Sequence, residues 1–310
     1  MEHLLQLKGW SGTEIEQLLD LAAAVKKEPA AYADALARRT LLMIFEKPSL
    51  RTRLSFEAGM TQLGGHAIYY HTGGSPMGTG KETLSDSIRA ASRFVDIIMA
   101  RLYKHTDLEE MAKYATVPMI NALTDDSHPC QILADLLSIR EKKGHLKGLK
   151  LAYFGDGFNN VTHSLMRGGS KVGMEIAIAS PAGEEYQPRA DVLRDCQAAA
   201  QESGGSVYVT QEAAEAAAGA DIIYTDSWMS YHIPKEEEAV RIETFKPYQV
   251  NQVLMQQANP DALFMNCLPA DRGREQTAEV IDGPQSIIFD QAENRLHAQK
   301  AVMLKLLQAT

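Results

Sequence analysis

Short apolar runs alternate with amphipathic stretches along most of this chain. TLLMIFE (40–46), DIIMARL (96–102) and VPMINAL (117–123) are almost continuously hydrophobic and of strand length, the pattern of strands covered on both faces. HAIYYH (66–71) is a fourth candidate strand. Helical patterns lie between them: RLSFEAGMTQLG after the first, LSDSIRAASRFV after a glycine-rich loop at 73–80, and LEEMAKYA before the last. At the N-terminus, Ser11 or Thr13 is placed to cap a helix carrying Ile15, Leu18, Leu19 and Leu21. A helix from about His128 to Lys143 ends this series, and GHLKGLK (144–150) reads as a joint. A second series follows. KLAYFGD (150–156), EIAIASP (175–181), SVYVT (206–210), DIIYTD (221–226), ALFMNCLP (262–269) and QSIIFDQ (285–291) read as strands. THSLMRGGSKVG, PRADVLRDCQAAAQESGG and QEAAEAAAGA read as the intervening helices, and a last helix runs from about Ala292 to the end.

Strands alternating with helices predict parallel sheets covered on both faces. The expected fold class is α/β, with two doubly wound parallel-sheet domains and the active site in the cleft between them. Residues 1–143, joined by the final helix 293–310, form the first domain, and residues 144–292 the second. Ligands in such sheets sit outside the carboxyl ends of strands. Position alone therefore nominates the loops at 47–53, 101–105, 124–131 and 226–232.

Composition narrows the chemistry. Of the 310 residues, 40 are acidic and 31 basic, a net charge of −9 that argues against a nucleic-acid surface or an anionic membrane as partner. Any anion must be gripped locally, against the global field. The stretch FEKPSLRTRLSFE (45–57), with Lys47, Arg51 and Arg53, stands out for that reason. Three well-separated cysteines, Cys130, Cys196 and Cys267, match no zinc spacing and read as reduced thiols of a cytoplasmic protein. No metal site is expected. The N-terminus lacks the basic and apolar regions of a secretory signal, and no apolar run reaches membrane-spanning length.

Two loops are decoys. GGSPMGTGKET has Ser75 and Glu82 where a phosphate-binding P-loop needs glycine and a hydroxyl residue. YFGDGFNN has Asn160 where a dinucleotide fingerprint needs its third glycine. No nucleotide cofactor is expected, although Lys81 suits the first loop to closing over an anion.

A helix starting within SLRTR would aim backbone N–H groups and a positive dipole end at whatever sits before it. Ser49 and Thr52 add hydroxyls, and Arg51 has the planar fork for two phosphate oxygens. The alternative is that Arg51 and Arg53 are structural ion pairs. This stretch alone leaves both readings open.

Seven motifs taken together resemble the aspartate/ornithine carbamoyltransferase family, in its ornithine branch. They are FEKPSLRTRLSF, MARLY, DDSHPCQILADL, GDGFNN, DSWMS, MNCLPADRGRE and AENRLHAQKA, in order over residues 45–301. The resemblance implies transfer of a carbamoyl group from carbamoyl phosphate to the δ-amine of ornithine, giving citrulline in arginine metabolism, in the direction of synthesis or of breakdown, without metal or redox cofactor. It implies that Ser49, Leu50, Arg51 and Thr52 hold the phosphate, with Arg101 bridging phosphate and carbonyl oxygen. His128 would donate to that carbonyl oxygen, and Gln131 would accept from the carbamoyl NH₂. The carbonyls of Cys267 and Leu268 would complete the NH₂ site, and Arg295 would close it. Asn160, Asp226, Ser230 and Tyr231 would hold the amino acid, with Asp226 on the α-ammonium and Cys267 beside the attacking amine. The catalytic set is then Arg101, His128, Asp226 and Cys267. A homotrimer, or a multiple of it, is implied as well.

Each assignment has a plainer counterpart. His128 before Pro129 is a possible helix cap, Cys267 a buried thiol, and Asp226 an N-cap. Cys130 and Cys196 read as structural, and His163, His232 and His297 receive no role. The chain also departs from the family pattern. Leu50 stands at a common threonine, Asn266 at a histidine, and Ser230-Tyr231-His232 at Ser-Met-Gly in the loop over the amine side chain. Met77 falls near the place of a phosphate-touching glutamine from a neighbouring subunit. These departures admit putrescine or an N-acylated ornithine as the amine, or a carbamoyl-phosphate-binding protein without turnover.

Overall fold

Four of the apolar runs pair into one parallel sheet of strands β1 (Thr40–Phe45), β2 (His66–His71), β3 (Ile97–Arg101) and β4 (Met119–Leu123), in the order β2-β1-β3-β4. The coordinates, a computed structural model, describe residues 3–229 and 233–309. Every residue of β3 and β4 is buried, which is why those segments are hydrophobic throughout rather than alternating. β2 lies at an edge and is only half covered, so its histidine ends are tolerated. Around this sheet lie α1 (Gly12–Lys27), α2 (Leu50–Gln62), α3 (Leu84–Ala91), α4 (His105–Tyr114) and α5 (Pro129–Lys143). α1 buries Ile15, Leu18, Leu19, Ala22 and Val25.

The second series forms a parallel sheet of β5 (Lys150–Phe154), β6 (Glu175–Ala179), β7 (Ser206–Thr210), β8 (Ile222–Thr225) and β9 (Leu263–Met265), in the order β7-β6-β5-β8-β9. Its helices are α6 (Asn160–Gly169), α7 (Ala190–Ser203), α8 (Ala213–Ala217), α9 (Glu238–Phe245), α10 (Gln252–Met255) and α11 (Ala278–Ile281). The alanine-rich run before β8 is more than a good helix former. Ala216, Ala217 and Ala220 are fully buried against Ala152, Ala177 and Ala179 of the sheet, where small side chains let helix and strands approach closely.

Compact packing divides the chain into two units. One comprises Met1–Trp10, Glu14–Leu137 and Glu293–Thr310; the other comprises Ser11–Thr13 and Ser138–Ala292. The last helix, α12 (Ile288–Leu306), gives residues 293 onward to the first unit. No helix among the described residues is long and apolar enough to cross a membrane.

The strand expected at QSIIFDQ is a correction. Only a single bridge from Phe264 to Ser286 forms there, and α12 begins at Ile288. Ile287 and Ile288 are buried while Phe289 is exposed, so this short apolar run serves a helical face. Helices α9 and α10 were not anticipated. Of α9's residues only Arg241 and Phe245 are buried, so its apolar stripe is too thin to read.

In each sheet the strand order reverses once. β1 connects onward to β2 on one side and lies against β3 on the other; β5 does the same between β6 and β8. Loops leaving adjacent strands in opposite directions open a crevice at their carboxyl ends. Those crevices are where the chemistry-bearing loops begin.

Candidate active site

In the first unit the crevice lies at the ends of β1 and β3. Ser49 has extended backbone and caps α2, its Oγ accepting the Thr52 N–H at 3.3 Å. The N–H groups of the first turn therefore point out of the helix end. Leu50 is 72% exposed, so the missing threonine hydroxyl removes nothing from the interior, and its backbone N–H is what the position supplies. The three cations of this stretch separate. Arg53 is exposed, pairs with Glu57 at 3.0 Å and lies 4.0 Å over the Tyr69 ring, the structural ion pair weighed above. Lys47 is buried, with its Nζ 5.5 Å from the Tyr103 ring. Arg51 is half-buried at the helix start and has no carboxylate partner among the described residues.

Arg101 ends β3 opposite Phe45 of β1, and the β3–β4 register slips between Ala100 and Arg101. Such an irregularity re-aims the side chain that follows it. Its Nη1 donates to Thr52 Oγ1 at 3.4 Å, and Arg295 Nη2 donates to the same oxygen at 3.3 Å. Arg295 Nη1 also donates to Gln131 Oε1 at 2.7 Å. His128 stands immediately before α5 and is 5% exposed. Burial pushes its imidazole well below the ordinary histidine value, and Arg295, Arg101, Lys47 and Arg51 push it further in the same direction. It is therefore neutral, with one N–H to give. Four cations crowd one crevice of an acidic chain, a costly arrangement that an anion would relieve.

Three residues that sequence reasoning passed over hold this array. Gln299 Oε1 accepts from Arg295 Nε at 2.9 Å, and its Nε2 donates to Ser55 Oγ at 2.7 Å. Ser55 Oγ donates to the Arg51 carbonyl at 2.6 Å, and Gln131 Nε2 donates to Asp135 at 2.8 Å. The signal was spacing: Arg51–Ser55, Gln131–Asp135 and Arg295–Gln299 are all i, i+4 pairs on helices. The glycine-rich loop is folded on itself. Ser75 Oγ donates to the Thr72 carbonyl at 2.7 Å, and Met77 is buried beside Ile44 and Ile88. Met77 thus packs as a core residue of its own chain.

In the second unit the crevice lies at the ends of β5 and β8. Asp226 follows β8 and Cys267 follows its neighbour β9, and Cys267 Sγ donates to Asp226 Oδ1 at 3.2 Å. Burial first, then the Asp226 charge, holds the Tyr153 hydroxyl well above its usual value. Asn160 opens α6, whose N-cap is its neighbour Asn159; that side chain accepts the Thr162 N–H at 2.8 Å and donates to Tyr153 Oη at 2.8 Å. Leu268 has φ of +57°, unusual for a branched residue. Asn266, fully buried, supports that turn by accepting the Leu268 N–H at 2.8 Å, and it donates to Gln276 at 3.0 Å. The departure from histidine at 266 thus has a local structural use. Ser230, Tyr231 and His232 lie outside the described residues.

The structure therefore brings Ser49, Thr52, Arg101, Gln131 and Arg295 into one hydrogen-bonded set under the cations that surround His128. It separately joins Asp226 to Cys267. The first set is suited to an anion and a carbonyl oxygen; the second is a polar pair beside a turn.

Comparison with known proteins finds two family models matched in succession along the chain. Residues 2–141 match the carbamoyl-P binding domain of aspartate/ornithine carbamoyltransferase, and residues 147–306 match its Asp/Orn binding domain. The ornithine carbamoyltransferase of Anoxybacillus flavithermus is 52% identical over 306 residues, 98% of this chain and 96% of that protein. The anabolic ornithine carbamoyltransferase of Pyrococcus furiosus is 49% identical over 302 residues, 97% and 94% of the two chains. A solved structure of ornithine carbamoyltransferase from Pyrococcus furiosus superposes with a TM-score of 0.93 over 98% of this chain and 96% of that one, at 49% identity.

Proposed function

The chain belongs to the aspartate/ornithine carbamoyltransferase family, and on that premise we propose that it transfers the carbamoyl group of carbamoyl phosphate to the δ-amine of L-ornithine, giving L-citrulline and phosphate in arginine biosynthesis. The observation that carries this reading is the convergence of Arg101 and Arg295 on Thr52 at the start of α2, beside a neutral His128.

The first unit holds carbamoyl phosphate. The phosphate takes the N–H groups of Leu50 and Arg51, the hydroxyls of Ser49 and Thr52, and the fork of Arg51. Arg101 spans phosphate and carbonyl oxygen. His128, neutral, gives its N–H to the carbonyl oxygen, and Gln131, fixed by Arg295 and Asp135, accepts from the carbamoyl NH₂. The neutral amine nitrogen attacks the carbamoyl carbon and the carbonyl oxygen takes negative charge; the carbonyl then re-forms as the C–O bond to phosphate breaks with its electron pair leaving on phosphate, which takes the proton that the attacking nitrogen gives up. Arg101, His128 and Thr52 meet the developing oxyanion, and donors of this kind are worth about 3–4 kcal/mol each. The second unit holds the amino acid through Asn160, Asp226, Ser230 and Tyr231, with Asp226 on the α-ammonium. That pairing disfavours an N-acylated ornithine, which offers no cation there. The carbonyls of Cys267 and Leu268 take the remaining NH₂ contacts. An amine of pKa near 10 is mostly protonated at neutral pH, and Cys267 with Asp226 favours its neutral, attacking form. The proposal extends to a homotrimer in the cytoplasm; all three cysteines are free, as a reducing compartment would keep them.

Citrulline formation is the test, with ornithine, putrescine, N-acetylornithine and aspartate supplied in parallel. Activity confined to ornithine, rising with pH above 7, is expected. A flat rate from pH 6 to 9 would remove the deprotonation step, and activity with another amine would move the substrate. Arg51→Ala is expected to weaken carbamoyl phosphate; unchanged affinity would make the phosphate assignment wrong. Sedimentation at equilibrium checks the trimer.

A further inference from the structure

We propose that Asp156, Arg241 and Glu275 form a buried clamp on the backbone of Trp228, and that this clamp positions the loops bearing Asn160, Asp226 and Cys267 and so sets the affinity for the amine substrate. The inference rests on the proposed amine-side role of those loops. None of the three charged residues is needed to touch a substrate; they are positioning residues.

Trp228 lies two residues after Asp226 and two before Ser230. Both of its main-chain polar groups are held by buried charged side chains. Its N–H donates to Glu275 Oε1 at 3.2 Å, and its carbonyl accepts from Arg241 Nε at 2.8 Å. Trp228, Arg241 and Glu275 are 2%, 4% and 3% exposed. Each clamp residue then reaches a second loop. Arg241 Nη2 pairs with Asp156, which follows β5 four residues ahead of Asn160 and whose Oδ1 also accepts the Phe158 N–H at 2.9 Å. Glu275 Oε2 accepts the Asp271 N–H at 3.1 Å, in the segment that follows Cys267 and Leu268. The loops after β5, β8 and β9 are thereby cross-tied through one residue's peptide groups.

The aromatic side of the clamp points the same way. The Trp228 ring stacks on Phe245 with centroids 5.9 Å apart and planes 27° apart, on the helix that carries Arg241. The Arg241 guanidinium lies 4.9 Å from the Phe245 ring and 5.7 Å from Tyr186. On its other side the indole is pressed against Gly155, where φ is +124° and an added Cβ would meet the indole nitrogen at 3.0 Å. Gly155 immediately precedes Asp156, so ring and backbone are located by the same loop.

Stability alone does not call for this arrangement, because burying charges is costly and apolar side chains of similar volume often do as well or better. What the charged groups add is direction. With both peptide planes of Trp228 fixed, the chain leaves Asp226 along a set path. Asp226 and Cys267 are joined by a thiol hydrogen bond, a weak tie. The Glu275 bridge provides a second link between their loops.

The test uses the full-length enzyme with each substrate varied separately. Removing Arg241 alone would strand the Asp156 charge, so the informative variants are Glu275→Gln and the double variant Asp156→Asn/Arg241→Met, which removes both charges of that ion pair together. We expect the KM for ornithine to rise at least tenfold in both, with the KM for carbamoyl phosphate within twofold of wild type and partial recovery in Arg241→Lys. A fall in kcat alone, with both KM values unchanged, would overturn the proposal, since loss of folded enzyme does exactly that to rates and nothing to KM. If the wild type prefers another amine, the same comparison is made with that amine. If it turns over none, the activity reading fails, and the clamp is judged on Trp228 fluorescence in a Trp10→Phe background. A red-shifted emission in the double variant supports the clamp there, and an unchanged emission overturns it.

Discussion

A neutral His128 has a measurable consequence for stability. In the unfolded chain this imidazole takes a proton near pH 6.5, whereas in the folded protein burial and the nearby Arg295, Arg101, Lys47 and Arg51 hold it deprotonated well below that. Between those two values the unfolded state binds the extra proton, so folding stability falls as pH falls. One site of this kind costs little at pH 7.5 and about 1.4 kcal/mol at pH 5.5, a full pH unit below the unfolded value. His3 and His297 are also held low, so the wild type alone would report a sum. His128→Gln keeps a donor of similar reach and removes the titration. Urea unfolding followed by circular dichroism, for both proteins at pH 8.5, 7.5, 6.5 and 5.5, isolates the site. The difference between them should be constant from pH 8.5 to 7.5, and the wild type should then lose about 1.4 kcal/mol relative to the variant by pH 5.5. Parallel curves across the whole range would refute the reasoning: the imidazole would then titrate at its ordinary value, and the donor role assigned to its neutral form would fail.

The other expectations concern how the sites are held. Gln299→Leu leaves the buried Arg295 Nε without its acceptor and Ser55 without its donor. We expect about 1.5–3 kcal/mol of destabilisation by denaturant midpoint and a raised KM for carbamoyl phosphate, with that for ornithine unchanged. Ser49→Asp preserves the N-cap of α2 but places a carboxylate where the phosphate is proposed, so thermal stability should hold while carbamoyl phosphate binding is lost; retained binding would displace the phosphate from this helix end. Gly155→Ala meets both a φ of +124° and the Trp228 indole at 3.0 Å. A cost of about 1–3 kcal/mol is expected from the backbone alone, read from thermal unfolding, with the KM for ornithine raised in what remains folded.

Much was legible from the chain because the relevant physics is local. Nearly continuous apolar runs separated by amphipathic segments pointed to parallel strands with covered faces, and all nine described strands lie within runs read as strands. The donors that residues 49–52 offer were also local, since an N-capped helix start with an arginine in its first turn carries its donors wherever it is placed. Local pattern failed where burial is decided by a distant partner. QSIIFDQ is as apolar as a strand, yet Ile287 and Ile288 turn inward and Phe289 outward as the beginning of α12. The cations of residues 47–53 looked equivalent in sequence. Only tertiary contacts assigned Arg53 to Glu57 and Tyr69 while setting Arg51 and Lys47 beside His128.

The same distinction holds for the residues that position the sites. Gln299, Ser55 and Asp135 are ordinary helix residues until α12, α2 and α5 bring them to Arg295, Arg51 and Gln131. Asp156, Arg241 and Glu275 lie up to 119 residues apart (156 to 275) and meet at one tryptophan. Residue type and short spacing determined which elements form and which groups offer donors. The folding of separate strands and helices onto one another decided which charges are buried together, because the energy of a buried charge depends on neighbours in space rather than in sequence.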